Sequence, residues 1–435
     1  MAWNPIYALL LVFSTCIDYA AGMKIYHGTR KSRKIWLIAS LISNFGMLFT
    51  FKYYGFFSRE FNAGLTFLGV DLNIPEMDFL LPIGISFYTF QTVSYTLDIY
   101  FRKREPERNI FRLGLYVAFF PQAIAGPIER STTLLPQLIS PAEINPERIA
   151  LGLRLMLWGF FKKLVIADRL GLTVDQVYGN PENFTGLDHL AATLFFAFQI
   201  YVDFSAYSEI AMGAAMLFGI QLMVNFDRPY LRTSIKEFWR HWHISLTTWF
   251  RDYVYQPLGG NRINEVVWIR NIFIVFLLSA IWHGANWTFV VWGVLHAGYF
   301  FLWHLAEVMW PRTGWAAKFI MLATPIKIGQ WALTFTLVCL AWVFFRASSV
   351  DSAMYILTQI LSVPGVLTLE GFWVGYNLVL ISLLLLIEYQ SGRRDKWLPV
   401  YKNSFPMRLG FDCALILAIL LLGINTNNTF IYFQF

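Results

Sequence analysis

The run Ile281-Trp282-His283-Gly284-Ala285-Asn286-Trp287, continued by Trp292-Gly293-Val294-Leu295-His296, holds two imidazoles. They sit in a stretch from Ile272 to Trp303 that contains no Asp, Glu, Lys or Arg. Imidazole exchanges its proton near neutral pH, which suits it to take a proton from a hydroxyl about to act as a nucleophile. An ionisable residue at membrane depth is costly to keep, so a functional role is its default reading. The alternative is a helix-packing histidine bonded to a neighbouring carbonyl. Two such residues flanked by Gly284, Asn286 and three tryptophans weigh against that alternative.

A third imidazole, His243, lies in a segment whose pattern predicts a helix over about 234–258. Ile235, Phe238, Trp239, Trp242, Leu246, Trp249, Phe250 and Tyr253 recur at three- and four-residue spacing and form one stripe. Lys236, Arg240, Thr247 and Arg251 flank it, with His243 on the seam. On a regular helix His241 falls about 200° from His243, so the two cannot chelate one ion and a zinc site loses its best candidate. One reading is an interfacial helix with tryptophans at headgroup level and a basic face toward anionic lipid. The other adds a binding surface for a phosphorylated donor, because guanidinium groups such as Arg240 and Arg251 suit phosphate.

The elements that must position these side chains are membrane helices. The 435 residues are 57% hydrophobic, 18% aromatic and only 14% charged, and the mean hydropathy is +0.51. This composition belongs to multi-spanning membrane proteins. The apolar run from Trp3 to Met23 is of spanning length and lacks a basic lead-in, so it reads as a first membrane helix rather than a signal peptide. Cys16, Cys339 and Cys413 stand in separate apolar runs with no ligand spacing and no disulfide framework. The net charge of +7 comes from short basic loops between hydrophobic spans, which argues for a membrane and against nucleic acid. Neither a Gly-x-Ser-x-Gly elbow nor a His-Glu-x-x-His pair occurs, so serine-hydrolase and zinc-protease chemistry lack support.

The basic loop Lys24 to Lys34 places that side in the cytoplasm and the N-terminus outside. Spans over about 35–57 and 79–101 follow. The apolar run Phe111 to Ile128 is broken by Pro121, Gly126 and Pro127 and fits a re-entrant hairpin. In the next helix, about 149–170, Lys162, Lys163 and Asp168 read as snorkelling anchors. The run from Leu190 to Met223 is one tilted helix or two short ones. The basic segment Arg228 to Arg270 reads as cytoplasmic, a hairpin about His283 follows, and spans near 328–345, 372–388 and 409–422 leave the C-terminus outside. No internal repeat is visible, so the whole of 1–435 reads as one membrane domain. The expectation is an all-α polytopic protein with about ten transmembrane or re-entrant helices.

Several runs, taken together and in order, resemble the membrane-bound O-acyltransferase family. They are Phe119-Phe120-Pro121-Gln122 with Ala125-Gly126-Pro127-Ile128, Tyr201-Val202-Asp203-Phe204-Ser205-Ala206-Tyr207-Ser208, Asn225-Phe226-Asp227-Arg228-Pro229-Tyr230, Phe238 to Leu246, and Trp282-His283-Gly284-Ala285. Within that family the chain looks most like the branch of alginate and peptidoglycan O-acetylation membrane subunits. The resemblance implies helices in a ring round a central funnel or tunnel, with His283 as the near-invariant histidine and His243 as a second one at the funnel base. It implies an acyl donor from the cytoplasm, with acetyl-CoA expected and no bound cofactor or metal. It also implies a polysaccharide acceptor, an extracytoplasmic acetyltransferase partner and a multi-pass place in the bacterial inner membrane. Transfer of a D-alanyl-type group to a wall polymer stays open. So does a transporter without chemistry, although matched internal repeats are missing.

The final residues Asn428 to Phe435 are too short to span and unusually aromatic. An interfacial aromatic anchor is one reading. The other comes from the resemblance, in which Phe430-Ile431-Tyr432-Phe433-Gln434-Phe435 is similar to the C-terminal tyrosine hexapeptide of polysaccharide acetyltransferases. That likeness implies Tyr432 as an acyl relay within reach of His283.

Overall fold

The computed structural model describes residues 7–77, 79–262, 264–309, 320–363, 365–390, 404–424 and 430–431. Tyr432 and most of the tail 428–435 therefore lie outside the described residues. Among the described residues every regular element is helical. Eight helices are long and apolar enough to cross a membrane. The chain forms two compact units, one of residues 1–152 and 211–223, the other of 153–210 and 224–435.

The first unit is built on α1 (Tyr7–His27), α2 (Arg30–Leu48), α3 (Tyr54–Phe67) and α4 (Ile85–Tyr100). A π-type turn over Phe49–Tyr53 joins α2 to α3, so one helical rod of 38 residues replaces the shorter span expected over 35–57. Apolar side chains gain no hydrophobic driving force by packing together in lipid, and buried polar side chains add hydrogen bonds that hold these helices in register. Asp18 of α1 accepts from Ser40 Oγ at 2.5 Å and from Asn44 Nδ2 at 3.0 Å, both on α2. Asn44 Oδ1 in turn accepts from Ser14 at 2.6 Å and from Thr92 of α4 at 3.2 Å. The span expected over 79–101 shortens to the 16 residues of α4. The cause is local: Pro82 cannot donate to a helix, and Gly84 turns the chain with φ 81° where a Cβ would run into the Ala123 carbonyl.

The broken run 111–128 folds as α5 (Ile110–Ala118), capped by the Asn109 side chain, and α6 (Phe120–Ala123), with Pro121 in its first turn. Gln91 and Gln122 both donate to the Tyr116 carbonyl, at 2.7 and 3.1 Å, and satisfy backbone that the breakers leave open. Next come α7 (Ser131–Ile139), α8 (Pro146–Phe161) and α9 (Asp168–Gly179), the last two joined through a π-type turn over Lys162–Ala167.

The run 190–223 resolves as a single helix of 32 residues, α10 (Gly186–Leu217). In the second unit it is followed by α11 (Ile235–His241), α12 (Ile244–Phe250), α13 (Glu265–His283) and α14 (Trp287–Met309). The remainder comprises α15 (Ile320–Arg346), α16 (Val350–Ser362), α17 (Gly371–Gln390) and α18 (Phe405–Leu422). Helices α13 and α14 form a hairpin whose close approach needs Gly293: a Cβ there would come within 2.8 Å of the Phe276 carbonyl oxygen.

Candidate functional site

The helix expected over 234–258 is broken in the middle. Trp242 is extended and His243 is left-handed, with φ 41° and ψ 55°, a conformation that costs a branched or bulky L-residue. The strain is held by Asn225 and Asp227, 18 and 16 residues upstream of His243. Asp227 donates its N–H to the His241 carbonyl at 3.0 Å, and Ile244 donates to the Asn225 carbonyl at 2.9 Å. Asn225 Oδ1 then accepts from both the N–H and the Oγ of Ser245, while its Nδ2 donates to Ser208 Oγ of α10 at 3.2 Å. These bonds replace the helical ones that would have run through His243. The result is that His243 turns inward, 1% exposed.

The inward imidazole lies against the ring of Phe204 at 4.6 Å, with Phe226 stacked at 6.4 Å and Trp282 at 5.9 Å. His243 lies outside the eight apolar helices, and burial alone pulls its pKa from 6.5 to about 3. It is therefore neutral at physiological pH, with a lone pair to offer. His241 behaves differently. It is 15% exposed and faces Asp227 and Glu237, so the two neighbouring histidines occupy separate environments.

His283 closes α13, where Gly284 takes over in extended conformation. Asn286 fixes the following turn: its Oδ1 accepts from Thr288 N at 3.0 Å and its Nδ2 donates to the Ser348 carbonyl at 3.0 Å. The His283 ring is 4% exposed and packs on Trp282 at 4.9 Å, Trp292 at 5.1 Å and Phe345 at 5.1 Å. Two imidazoles forty residues apart in sequence thus converge on one indole, Trp282. Beyond Trp292 lies the third, His296, fully buried with its ring 5.0 Å from that of Trp292.

Arg240 and Arg251 stand apart from this core. Arg240 is 60% exposed and pairs with Glu237; Arg251 is 56% exposed and pairs with Asp252. Both guanidinium groups are at the surface. Tyr432 lies outside the described residues, but the two residues before it do not. Phe430 packs on Phe204 and Tyr207, and Ile431 donates its N–H to Asp203 at 2.8 Å. For these two residues an anchor at headgroup level is replaced by burial along α10.

Lys162, Lys163 and Asp168 require a correction. Lys162 is 2% exposed, bonded to Ser205 Oγ at 2.6 Å and paired with Glu209 at 2.9 Å. Lys163 bridges Asp168 at 2.8 Å and Asp203 at 2.9 Å. Lys162 forms an interior ion pair and Lys163 a half-buried one, and neither is a free surface anchor, because α10 presents Glu209 and Asp203 opposite them. Tyr201 belongs to the same neighbourhood and donates to Glu388 of α17 at 2.6 Å. The sequence signals this cluster by the charges Lys162, Lys163 and Asp168 in one apolar run and by the polar interruption Asp203, Ser205 and Ser208 in another.

The family model described as MBOAT, membrane-bound O-acyltransferase family, matches residues 6–345. The peptidoglycan O-acetyltransferase of Helicobacter pylori is 36% identical over 392 residues, 84% of this chain and 72% of its own length. The probable alginate O-acetylase AlgI of Pseudomonas putida is 35% identical and covers 100% of this chain and 91% of its own length. The teichoic acid D-alanyltransferase of Bacillus subtilis is more distant, 26% identical over 51% of this chain and 59% of its own length. The matched region contains the Asn225 to Ser245 turn, the His283 hairpin and the whole of α10, and by its extent the chain belongs to the membrane-bound O-acyltransferase family.

Proposed function

We propose that this acyltransferase moves acetyl groups from cytoplasmic acetyl-CoA across the bacterial inner membrane for O-acetylation of an exported polysaccharide of the alginate or peptidoglycan type. The observation that carries this reading is the convergence of buried His243 and His283 on Trp282. An imidazole held there has the protonation chemistry that acyl transfer to a hydroxyl requires. The names of the relatives from Helicobacter pylori and Pseudomonas putida supply the acetyl group and the polymer class.

His283 is the principal base in this scheme. His243 orients the donor thioester, and Arg240 and Arg251 meet the donor's phosphates at the cytoplasmic mouth. Tyr432 is the relay. Its phenol, with an ordinary pKa near 10, gives its proton to His283 as its oxygen attacks the acetyl carbonyl. The C–S bond breaks, an aryl ester forms, and the proton passes on to the leaving thiolate. A charged CoA thioester cannot cross lipid, whereas an ester on the protein's own tail can be presented to an extracytoplasmic acetyltransferase partner. Both termini then lie outside.

The test is transfer from labelled acetyl-CoA by the full chain in lipid, with the C-terminal peptide read by mass spectrometry. The wild type should show acetyl-Tyr432, and His283→Ala should lose about 10²- to 10⁴-fold in rate. Normal transfer by His283→Ala would remove the base, and full activity in Tyr432→Phe would remove the relay. Activity only with a D-alanyl carrier thioester would select the D-alanyl reading instead.

A further inference from the structure

The described end of the chain is buried, with Phe430 6% and Ile431 1% exposed. Phe430 lies 5.0 Å from the ring of Tyr207 and 5.6 Å from that of Phe204, both on α10. Ile431 donates its backbone N–H to Asp203 Oδ2 at 2.8 Å. Asp203 sits near the midpoint of the 32-residue helix α10, roughly 20 to 25 Å from either end at 1.5 Å per residue. The tail therefore reaches deep along a helix long enough to span a membrane. A backbone N–H at such depth needs an acceptor, and a carboxylate is a stronger one than a carbonyl.

The acceptor is itself fixed. Lys163 Nζ lies 2.9 Å from Asp203 Oδ1 and 2.8 Å from Asp168 Oδ1. Lys163 holds the first oxygen of Asp203, and the tail brings a donor to the second. The end of α18 and Ile424 are bonded to the same stretch of chain. Arg169 Nη2 donates to the Leu422 carbonyl at 3.0 Å, and Ile424 N–H donates to the Leu164 carbonyl at 3.0 Å. The seat also adjoins His243, because the Phe204 ring that receives Phe430 is the ring 4.6 Å from His243.

We propose that Asp203 is a positioning residue whose carboxylate, oriented by Lys163, sets the register of the C-terminal tail at Ile431, beside His243. This rests on the relay reading of Tyr432. Asp203 acts through one backbone amide and touches no reacting atom. A carboxylate that binds backbone reads position rather than side chain, so residue 431 tolerates exchange for another residue that keeps its N–H.

The experiment uses the full chain in nanodiscs. Hydrogen exchange at the Ile431 amide, read by fragmentation of the C-terminal peptide, should be slow in the wild type. It should be at least about tenfold faster in Asp203→Ala, with Asp203→Asn, whose side-chain oxygen still accepts, in between. With labelled acetyl-CoA, Ile431→Pro removes the donated N–H while leaving every membrane helix and the Lys163 pair in place. It should lower the yield of acetyl-Tyr432 at least about tenfold with the donor KM unchanged, whereas Ile431→Val should match the wild type. Equal exchange in wild type and Asp203→Ala overturns the seat, and so does wild-type acetylation of Tyr432 in Ile431→Pro. Full transfer by Tyr432→Phe together with fast exchange in Asp203→Ala removes the relay alone and supports Asp203 as the residue that seats the tail.

Discussion

Trp239 donates its indole N–H to Nδ1 of His296 at 3.3 Å, a bond between α11 and α14. An indole nitrogen can only donate, so Nδ1 is the acceptor and the ring proton of His296 is on Nε2. The bond ties the element that ends just before His243 to the hairpin that carries His283. Its loss should loosen the relation between the two. We predict that His296→Leu and Trp239→Phe each lower transfer about tenfold or more, and that the double variant is no worse than the more damaging single one. His296→Asn, whose Oδ1 replaces Nδ1 as acceptor, should recover part of the activity. Additive losses in this cycle would show that the two residues act independently.

His243 gives a pH dependence whose sign is fixed. Its neighbours Phe204, Phe226 and Trp282 carry no charge, and burial lowers its pKa to about 3. Between pH 6.5 and about 3 the unfolded chain binds a proton that the folded chain refuses, so stability falls as pH drops through that window. The slope for this one group is about 1.4 kcal/mol per pH unit. His243→Asn removes the group and keeps a residue type that accepts the left-handed backbone. Its apparent Tm should therefore fall less than that of the wild type between pH 7 and pH 4.5. Parallel curves for the two proteins would count against a buried neutral imidazole.

Glu129, in the first unit, works in the opposite direction. It is 3% exposed, accepts from Met223 N–H and Thr133 Oγ1, and burial raises its pKa from 4.5 to about 7. From pH 4.5 to about 7 the folded chain holds a proton that the unfolded chain releases, so stability falls as pH rises and levels off above that range. Glu129→Gln keeps the acceptor oxygen without the charge. It should match the wild type in thermal unfolding near pH 4.5 and exceed it at pH 8. A variant less stable at pH 8 would mean that the ionised carboxylate is favoured where it sits.

The membrane helices are legible because hydropathy and loop charge report directly on lipid, and Pro121 marks the break in 111–128, whereas hydropathy alone runs the span 79–101 through Pro82 and Gly84, where the structure begins α4 only at Ile85. The inward turn of His243 was not legible. Its apolar spacing continues smoothly from Phe238 to Tyr253, and the break is imposed by Asn225 and Asp227, which no local pattern connects to it. Lys162 and Lys163 were misread for a related reason: a sequence displays charges but not partners, and snorkelling and interior pairing look alike until Glu209 and Asp203 are seen opposite. His283 stands out in the sequence because it is a histidine within an uncharged apolar run, whatever its neighbours. Its aromatic surroundings, including Phe345 from α15, could not be read from the chain alone.

The glycine after His283 gives the most direct test of how tightly that ring is held. Gly284 is extended, with φ −170°, so its backbone would accept any residue and only space can forbid one. A Cβ at this position would run into the ring of Phe289. Phe289 is 5% exposed and packs on Phe345 at 4.9 Å, and Phe345 packs on His283 at 5.1 Å. A methyl group at 284 must therefore push Phe289, then Phe345, then the imidazole. Overpacking of this kind costs about 1–3 kcal/mol, and a shift of the base of about 1 Å can cost about 100-fold in rate. We predict that Gly284→Ala inserts in the membrane with a modestly lowered Tm, loses at least tenfold in kcat, and keeps its KM for the donor. Phe289→Leu on that background should restore part of kcat by giving the methyl group room, although the same change in the wild type would open a void. If the second substitution restores nothing, the path from Gly284 to His283 does not run through Phe289.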